Sequence, residues 1–323
     1  MKSSPESMPL KKPKRISDVL ILSIFLVLLL ILFSFTSENF FTYANISTML
    51  NNMVIAGAIA IAITPLIVAR GLDISFGASL ALSTVVMAIL YNKGYNFFLI
   101  ILIGILIPTL VGLINGLLAE AFNLIPLILT LGTTSILIAL GQVMTNGNSI
   151  PMLTDPLFYF ATKSFLKIPF PIMVLAITII VYWFLLTYTK LGKKIYIIGS
   201  NPLTARLSGI KVKQIKVLLY VLLGIVTGVS AIIMVAISGI GYIYHGNNLT
   251  LPVLSAVFLG GMSLAGGEGS IWKTLLGTLI ITVIFTGLSL ANIQFYFIQI
   301  FQGLALLIIV AFYEVRKKRA EIK

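Results

Sequence analysis

The chain has 323 residues, 59% of them hydrophobic and 10% charged, and a mean hydropathy of +1.10 that places it far outside the range of soluble globular proteins. With no cysteine and a single histidine, disulfides, thiolate metal sites, a cysteine nucleophile and a histidine-built metal cluster are excluded. The formal net charge of +13 is the Lys/Arg excess that membrane proteins retain in cytoplasmic loops, and does not indicate nucleic-acid binding.

The first residues (1–15), rich in Ser, Pro and Lys, read as a cytoplasmic tail. Lys11–Arg15 and the apolar run Val19–Phe35 have the outline of a signal peptide. No small-residue cleavage site closes the run, however, and more spans follow, so it reads as a retained first helix. Ten spans are expected, at 19–35, 52–69, 74–92, 97–118, 125–143, 169–189, 217–238, 251–265, 272–291 and 296–313. With both termini cytoplasmic, only Lys93, Lys163 and Lys167 of the 22 basic residues fall outside. The expectation is an all-α polytopic transmembrane bundle over 16–315, N-in and C-in, with a cytoplasmic loop at 190–216 and a cytoplasmic tail at 316–323.

Several spans are short or interrupted. Only Arg70–Asp73 separates the second from the third, and the eighth, near Pro252–Ala265, is too short to cross untilted before it runs into Gly266–Gly269. Gly-interrupted short segments suggest half-helices that line a cavity, because irregular backbone must be shielded from lipid. The two interruptions share an apolar run, Gly/acid turn, apolar run layout, which suggests a pseudo-repeat of two halves.

The basic segment Lys190–Lys216 carries GSNPLTARLSGI (Gly199–Ile210) at its centre. Asn201 suits an N-cap, Pro202 suits the first helical position, and Gly209 can stop the helix in a left-handed conformation. Leu203 and Leu207, four apart, share one face. A short capped helix with a small apolar face among seven Lys/Arg residues suits docking onto a partner protein.

Other motifs read as structural. GEGSIWKT (Gly267–Thr274) resembles a phosphate loop, but Trp272 stands before Lys273 where the wrap needs a glycine, so ATP binding by this chain is not expected. Arg70 and Asp73 read as an interfacial pair that fixes a turn, with Asp73 capping the next helix; the functional alternative is an ion-coupling pair. Glu120 and Glu268 are read as similar turn residues, and His245, in GYIYHGNN, as a solvated loop histidine. Gly112 and Gly116 permit close helix approach. Asn115, Thr130, Thr133, Thr134, Gln142 and Gln302 either line a hydrophilic path or bond to neighbouring helices.

Four segments carry a family resemblance. GLDISFGASLAL (Gly71–Leu82), IPLILTLGT (Ile125–Thr133), GSNPLTARLSGIKV (Gly199–Val212) and LGGMSLAGGEGSIWKTLLGTLI (Leu259–Ile280) resemble, in order, signature stretches of the permease subunits of bacterial ABC importers for ribose and other simple sugars. The resemblance covers about Asn45 to Ala311, and departs from the pattern at Trp272 and Lys273, where a glycine is usual. It implies a multi-pass protein of the bacterial inner membrane that has no catalytic residues, metal or cofactor of its own. Its partners would be a cytoplasmic ATPase that binds ATP and Mg, an extracellular substrate-binding protein, a second permease copy or paralogue, and membrane lipid. Asn201, Leu203, Ala205, Arg206, Leu207, Ser208, Gly209 and Ile210 would form the helix that couples to the ATPase. Gly71, Asp73, Ser75, Thr130, Gly132, Gly260, Gly261, Gly266 and Gly267 would line the pathway or its turns, the pathway running between two permeases along the third to fifth and eighth to tenth spans. Relatives also serve autoinducer-2, nucleosides and branched-chain amino acids. An ion-coupled transporter acting alone is the competing class.

Overall fold

A computed structural model describes residues 18–165, 168–263 and 265–321; the expected tail at 1–15 and Lys167 lie outside them. In chain order the helices are α1 (Asp18–Thr36), α2 (Tyr43–Val68), α3 (Phe76–Asn92), α4 (Phe97–Ala121), α5 (Pro126–Thr145), α6 (Asp155–Thr162), α7 (Phe170–Tyr188), α8 (Lys190–Ser200), α9 (Pro202–Leu207), α10 (Val212–Ser238), α11 (Thr250–Leu259), α12 (Ile271–Leu290) and α13 (Phe295–Glu321). Four two-residue strands, β1 (Ile150–Pro151), β2 (Ser164–Phe165), β3 (Ile168–Pro169) and β4 (Ile240–Gly241), are short clasps: β1 pairs with β4 and β2 with β3, both antiparallel. Among the described residues seven helices, α1, α2, α4, α5, α7, α10 and α12, are long and apolar enough to cross a membrane. The other three expected spans fall on shorter apolar helices: α3, α11 and the stretch Tyr296–Ile308 of α13.

α2 is the central post. Every residue from Gly57 to Ala69 is buried, with α7, α10, α11 and α12 packed around it. A helix that is apolar all round and rich in Ala and Ile suits such a position. It begins at Tyr43 rather than at the expected 52, because Thr42 caps it through Asn45 N and the polar first turns carry no hydropathy signal. α4 and α10 approach closely through glycines on both: a methyl group at Gly112 would meet the Tyr220 carbonyl, and one at Gly224 the Pro108 carbonyl.

The two ends of the bundle are distinct. At one end Asn92 Nδ2 donates to Pro151 O at 2.8 Å and Pro151 lies opposite Ile240, so the end of α3, β1 and β4 are joined. From β4 the chain runs back along α3, with Gly241 beside Ala88 and Gly246 against Gly77, and α11 starts there. α11 has ten residues, about 15 Å of helix, roughly half a hydrocarbon core. It stops at Leu259, earlier than the expected Ala265, because Gly260 and Gly261 break it and Gly261 has φ +81°.

The two turns expected to mark a repeat meet in the fold: Gly267 N donates to Val68 O at 2.9 Å, beside Arg70, whose Cγ a methyl group at Gly266 would strike. The segment that feeds a short helix as 70–75 feeds α3 is 239–249, which feeds α11. The basic stretch 190–216 is mostly helical. Thr189 accepts from Gly192 N and starts α8, which buries Ile195 and Ile198 and exposes Lys193 and Lys194. α13 is continuous to Glu321, so the residues expected to begin a tail at 316 continue the helix.

Candidate functional site

The end of the bundle opposite β1 and β4 gathers most of the expected residues around α9. Asn201 Oδ1 accepts from Leu203 N at 3.0 Å and Thr204 N at 3.1 Å, and Pro202 occupies the first turn. The helix closes with a Schellman arrangement, in which Gly209 N bonds Arg206 O and Ile210 N bonds Ala205 O, both at 3.0 Å, with Gly209 at φ +76°. Leu203 and Leu207 are 66% and 82% exposed on one face, and Arg206 and Ser208 are also exposed. Arg206, Lys211, Val212, Lys213 and Gln214 line an open groove beside them. Ala205 points the other way and is fully buried, and Ile210 packs against the core. The outward surface of α9 is therefore built on Leu203, Arg206 and Leu207, with Thr204 and Ser208 exposed beside them.

Behind α9 three backbone segments meet. α2 also ends in a Schellman arrangement, with Arg70 N bonded to Ile67 O and Gly71 N to Leu66 O, but the left-handed position, φ +61°, is held by Arg70 where glycine is usual. Its guanidinium donates to Gly199 O at 2.7 Å and Ser200 O at 3.0 Å, the last carbonyls of α8. Those carbonyls are unpaired within their own helix and carry its negative end, which suits a cation. A methyl group at Gly199 would collide with Val68 O and Gly267 N, and one at Gly266, which has φ +74°, would collide with Arg70 Cγ. Tyr196 OH donates to Gly269 O at 2.8 Å, and burial raises the pKa of its phenol.

From Arg70 the chain 71–75 leads inward to a buried polar network. Asp73 Oδ1 accepts from Ser75 N at 2.7 Å and Ser75 Oγ at 2.6 Å. Asn115 Nδ2 of α4 donates to Ser75 Oγ at 2.9 Å, and Thr133 Oγ1 of α5 donates to Asn115 Oδ1 at 2.7 Å. Ile74 N donates to Thr130 Oγ1 at 3.3 Å, and Tyr220 OH of α10 donates to Leu72 O at 3.1 Å. One six-residue segment is thus bonded to α4, α5, α8 and α10.

Arg70 and Asp73 therefore do not form the expected pair. They take separate partners, Arg70 on α8 and Asp73 at the start of α3. Glu120 is buried and ion-paired with Lys216 at 2.9 Å, while Glu268 is exposed. Gly71, Asp73, Ser75, Thr130, Gly266 and Gly267 all belong to this junction or its network. Gly260 lies apart, against the start of α12, and Gly132 is exposed on α5, where a Cβ would meet nothing among the described residues beyond its own stretch of helix. Thr134 bonds Thr130 O within α5.

His245 lies beside Gly246, which packs against Gly77 in the first turn of α3, and is not the solvated residue expected. Its loop folds onto α3, its ring meets Tyr242 edge to face, and its buried Nδ1 has no hydrogen-bond partner among the described residues. Burial lowers its pKa from the ordinary 6.5. Nearby, Gln142 Nε2 donates to Tyr244 OH at 2.7 Å. Sequence reasoning missed Arg70, Tyr196 and Tyr220 as parts of the junction. For Arg70 a signal existed, since it follows a helix end directly and precedes a glycine.

Among known proteins, residues 45–311 match the family model described as branched-chain amino acid transport system / permease component. The ribose import permease protein RbsC of Bacillus subtilis (strain 168) is 35% identical over 287 residues, 88% of this chain and 89% of that protein. The L-arabinose ABC transporter permease protein AraH of Azospirillum brasilense is 32% identical over 299 residues, 93% and 88% of the two chains. The autoinducer 2 import system permease protein LsrD of Escherichia coli O9:H4 (strain HS) is 31% identical over 283 residues, 84% of each. No solved structure matches the chain.

Proposed function

Since the chain belongs to the family of branched-chain amino acid transport system permease components, and is a multi-pass protein of the bacterial inner membrane, we propose that it is the transmembrane subunit of an ABC importer for a simple sugar. The observation that carries this reading is the similarity, over most of the chain, to permeases named for ribose and for L-arabinose. The architecture supports it locally. α9 is rigidly capped at both ends, and its exposed Leu203, Arg206 and Leu207 form a small apolar and basic face suited to a groove on a cytoplasmic ATPase. In this reading both termini and the α9 end are cytoplasmic, the three shorter apolar helices complete ten spans, and the other end receives an extracellular binding protein.

The exposed side of α5, including Ile128, Leu131, Gly132, Ser135 and Ile136, would face the pathway shared with a second permease. ATP and Mg would bind the ATPase and favour one of two permease states, shifting their populations. No ATP site is assigned to this chain. The backbone amide of Gly267, within the phosphate-loop-like stretch, bonds Val68 O.

Uptake into proteoliposomes that hold the chain, its copurifying ATPase and its binding protein tests the reading. ATP-dependent entry of labelled ribose or arabinose supports it. Entry of autoinducer-2 alone would keep the importer and change the solute. Entry driven by an ion gradient, with no ATPase present, would refute it.

A further inference from the structure

We propose that the segment Arg70–Ser75 is a lever that transmits movement of α9 to α5, with Arg70 and Asn115 as the positioning residues at its two ends. This rests on the reading of α9 as the ATPase-docking helix. At the upstream end, the guanidinium of Arg70 grips Gly199 O and Ser200 O, immediately before the Asn201 that caps α9. Slack is absent there. Gly199 lies against Val68 O and Gly267 N so closely that no Cβ fits, and Gly267 N is itself bonded to Val68 O. A displacement of the α8–α9 junction must therefore move residues 68–70 with it.

The backbone of Arg70 points to the same role. A non-glycine residue at φ +61° adopts a conformation that L side chains avoid, in a Schellman position that glycine fills without strain. Here the side chain is used: both of its hydrogen bonds go to α8, across the junction, and neither goes to the turn that it terminates.

At the downstream end the segment reaches α5 twice, through Ile74 N on Thr130 Oγ1 and, by way of Asn115 on α4, through Thr133. Asn115 Nδ2 holds Ser75 Oγ, which is held by Asp73, and its Oδ1 holds Thr133 Oγ1. Ser75 and Asn115 are fully buried, where replacing one partner strands the others and geometry is strongly enforced. Thr133 sits on α5 beside Gly132 and two positions from Ser135, both exposed. Movement of the lever thus reaches the α5 face that the proposed pathway uses.

The absence of cysteine allows a single-cysteine reporter. Ser135→Cys places a thiol on the exposed face of α5, and its rate of maleimide labelling is measured in the complex with the copurified ATPase, with and without ATP and Mg. The expected result is an ATP-dependent rate in the otherwise unchanged chain. That dependence is lost in Arg70→Asn and in Asn115→Leu, while the ATPase stays bound and hydrolyses ATP. Asparagine tolerates the left-handed turn but cannot reach Gly199, so Arg70→Asn separates the strut from the backbone conformation. Arg70→Lys, which can still donate across the junction, restores part of the response, and Thr133→Val, which removes only the α5 end of the chain of bonds, weakens it. An ATP response that persists in Arg70→Asn or Asn115→Leu overturns the lever, and so does release of the ATPase by Arg70→Asn, which would make Arg70 a brace for the docking surface. If the unchanged chain brings down no ATPase at all, the proposed function fails and the lever with it.

Discussion

Lys216 Nζ lies 2.9 Å from Glu120 Oε1, and the two side chains are only 15% and 10% exposed. The pair joins the first turns of α10, which follow α9 directly, to the end of α4, which carries Asn115. α4 and α10 already pack closely through Gly112 and Gly224, so this pair locks the register of two helices in close contact.

Removing one partner leaves the other charge partly buried and unpaired, which costs more than the pair itself contributes. Lys216→Met is expected to lower stability by about 2–3 kcal/mol, and the double variant with Glu120→Gln to recover most of that loss. Melting of the detergent-solubilised variants reads both values; equal losses in the single and double variants would contradict the account.

If α9 docks the ATPase as proposed, its two faces separate docking from folding. Leu207 is 82% exposed, so Leu207→Glu is expected to change stability by no more than about 0.5 kcal/mol while releasing the ATPase. Ala205 is fully buried, and Ala205→Glu forces an unpaired carboxylate into the bundle, at a cost of about 3 kcal/mol or more. Melting curves and copurification on the same samples distinguish them.

Two glycines make an opposed pair. At Gly199 an added methyl group meets Val68 O and Gly267 N, so Gly199→Ala is expected to cost about 2 kcal/mol. At Gly132, inside α5 with open space around it, Gly132→Ala should raise stability of the isolated chain by about 0.5–1 kcal/mol through helix propensity. Destabilisation by both would mean that α5 is packed in a way the geometry does not show.

His245 supplies a pH dependence. Its pKa is lowered in the folded chain by burial, whereas the unfolded chain binds the proton near pH 6.5. The unfolded state therefore gains the proton first as pH falls, so the stability from neutral His245 is complete above about 6.5 and declines below it. Wild-type melting should fall faster than that of His245→Gln between pH 7 and 5; parallel curves would refute this.

Hydropathy made the long helices legible, because nothing else in sequence resembles a run of 18 or more apolar residues. Local capping chemistry made α9 legible as well: Asn201, Pro202 and Gly209 act through neighbours only two to four positions away. What stayed hidden depends on distant partners. The hold of Arg70 on Gly199 spans 129 positions and the bond from Tyr220 to Leu72 spans 148, and no local pattern encodes either. Proximity in sequence made Arg70 and Asp73 look like a pair, yet the left-handed turn at Arg70 sends their side chains to different elements. α8 was hidden for a related reason. Its lysines mark it as solvent-facing, while Ile195 and Ile198 are too few to raise its mean hydropathy.

The central claim is that α9 docks an ATPase, and affinity purification of the tagged chain from its native membrane in mild detergent tests it most directly. ATP hydrolysis is measured in the eluate of the unchanged chain and of Leu207→Glu. The account predicts a copurifying ATPase that the substitution releases while the chain remains folded and inserted. A chain that elutes alone and still takes up solute on an ion gradient, or an ATPase that stays bound to Leu207→Glu, would contradict it.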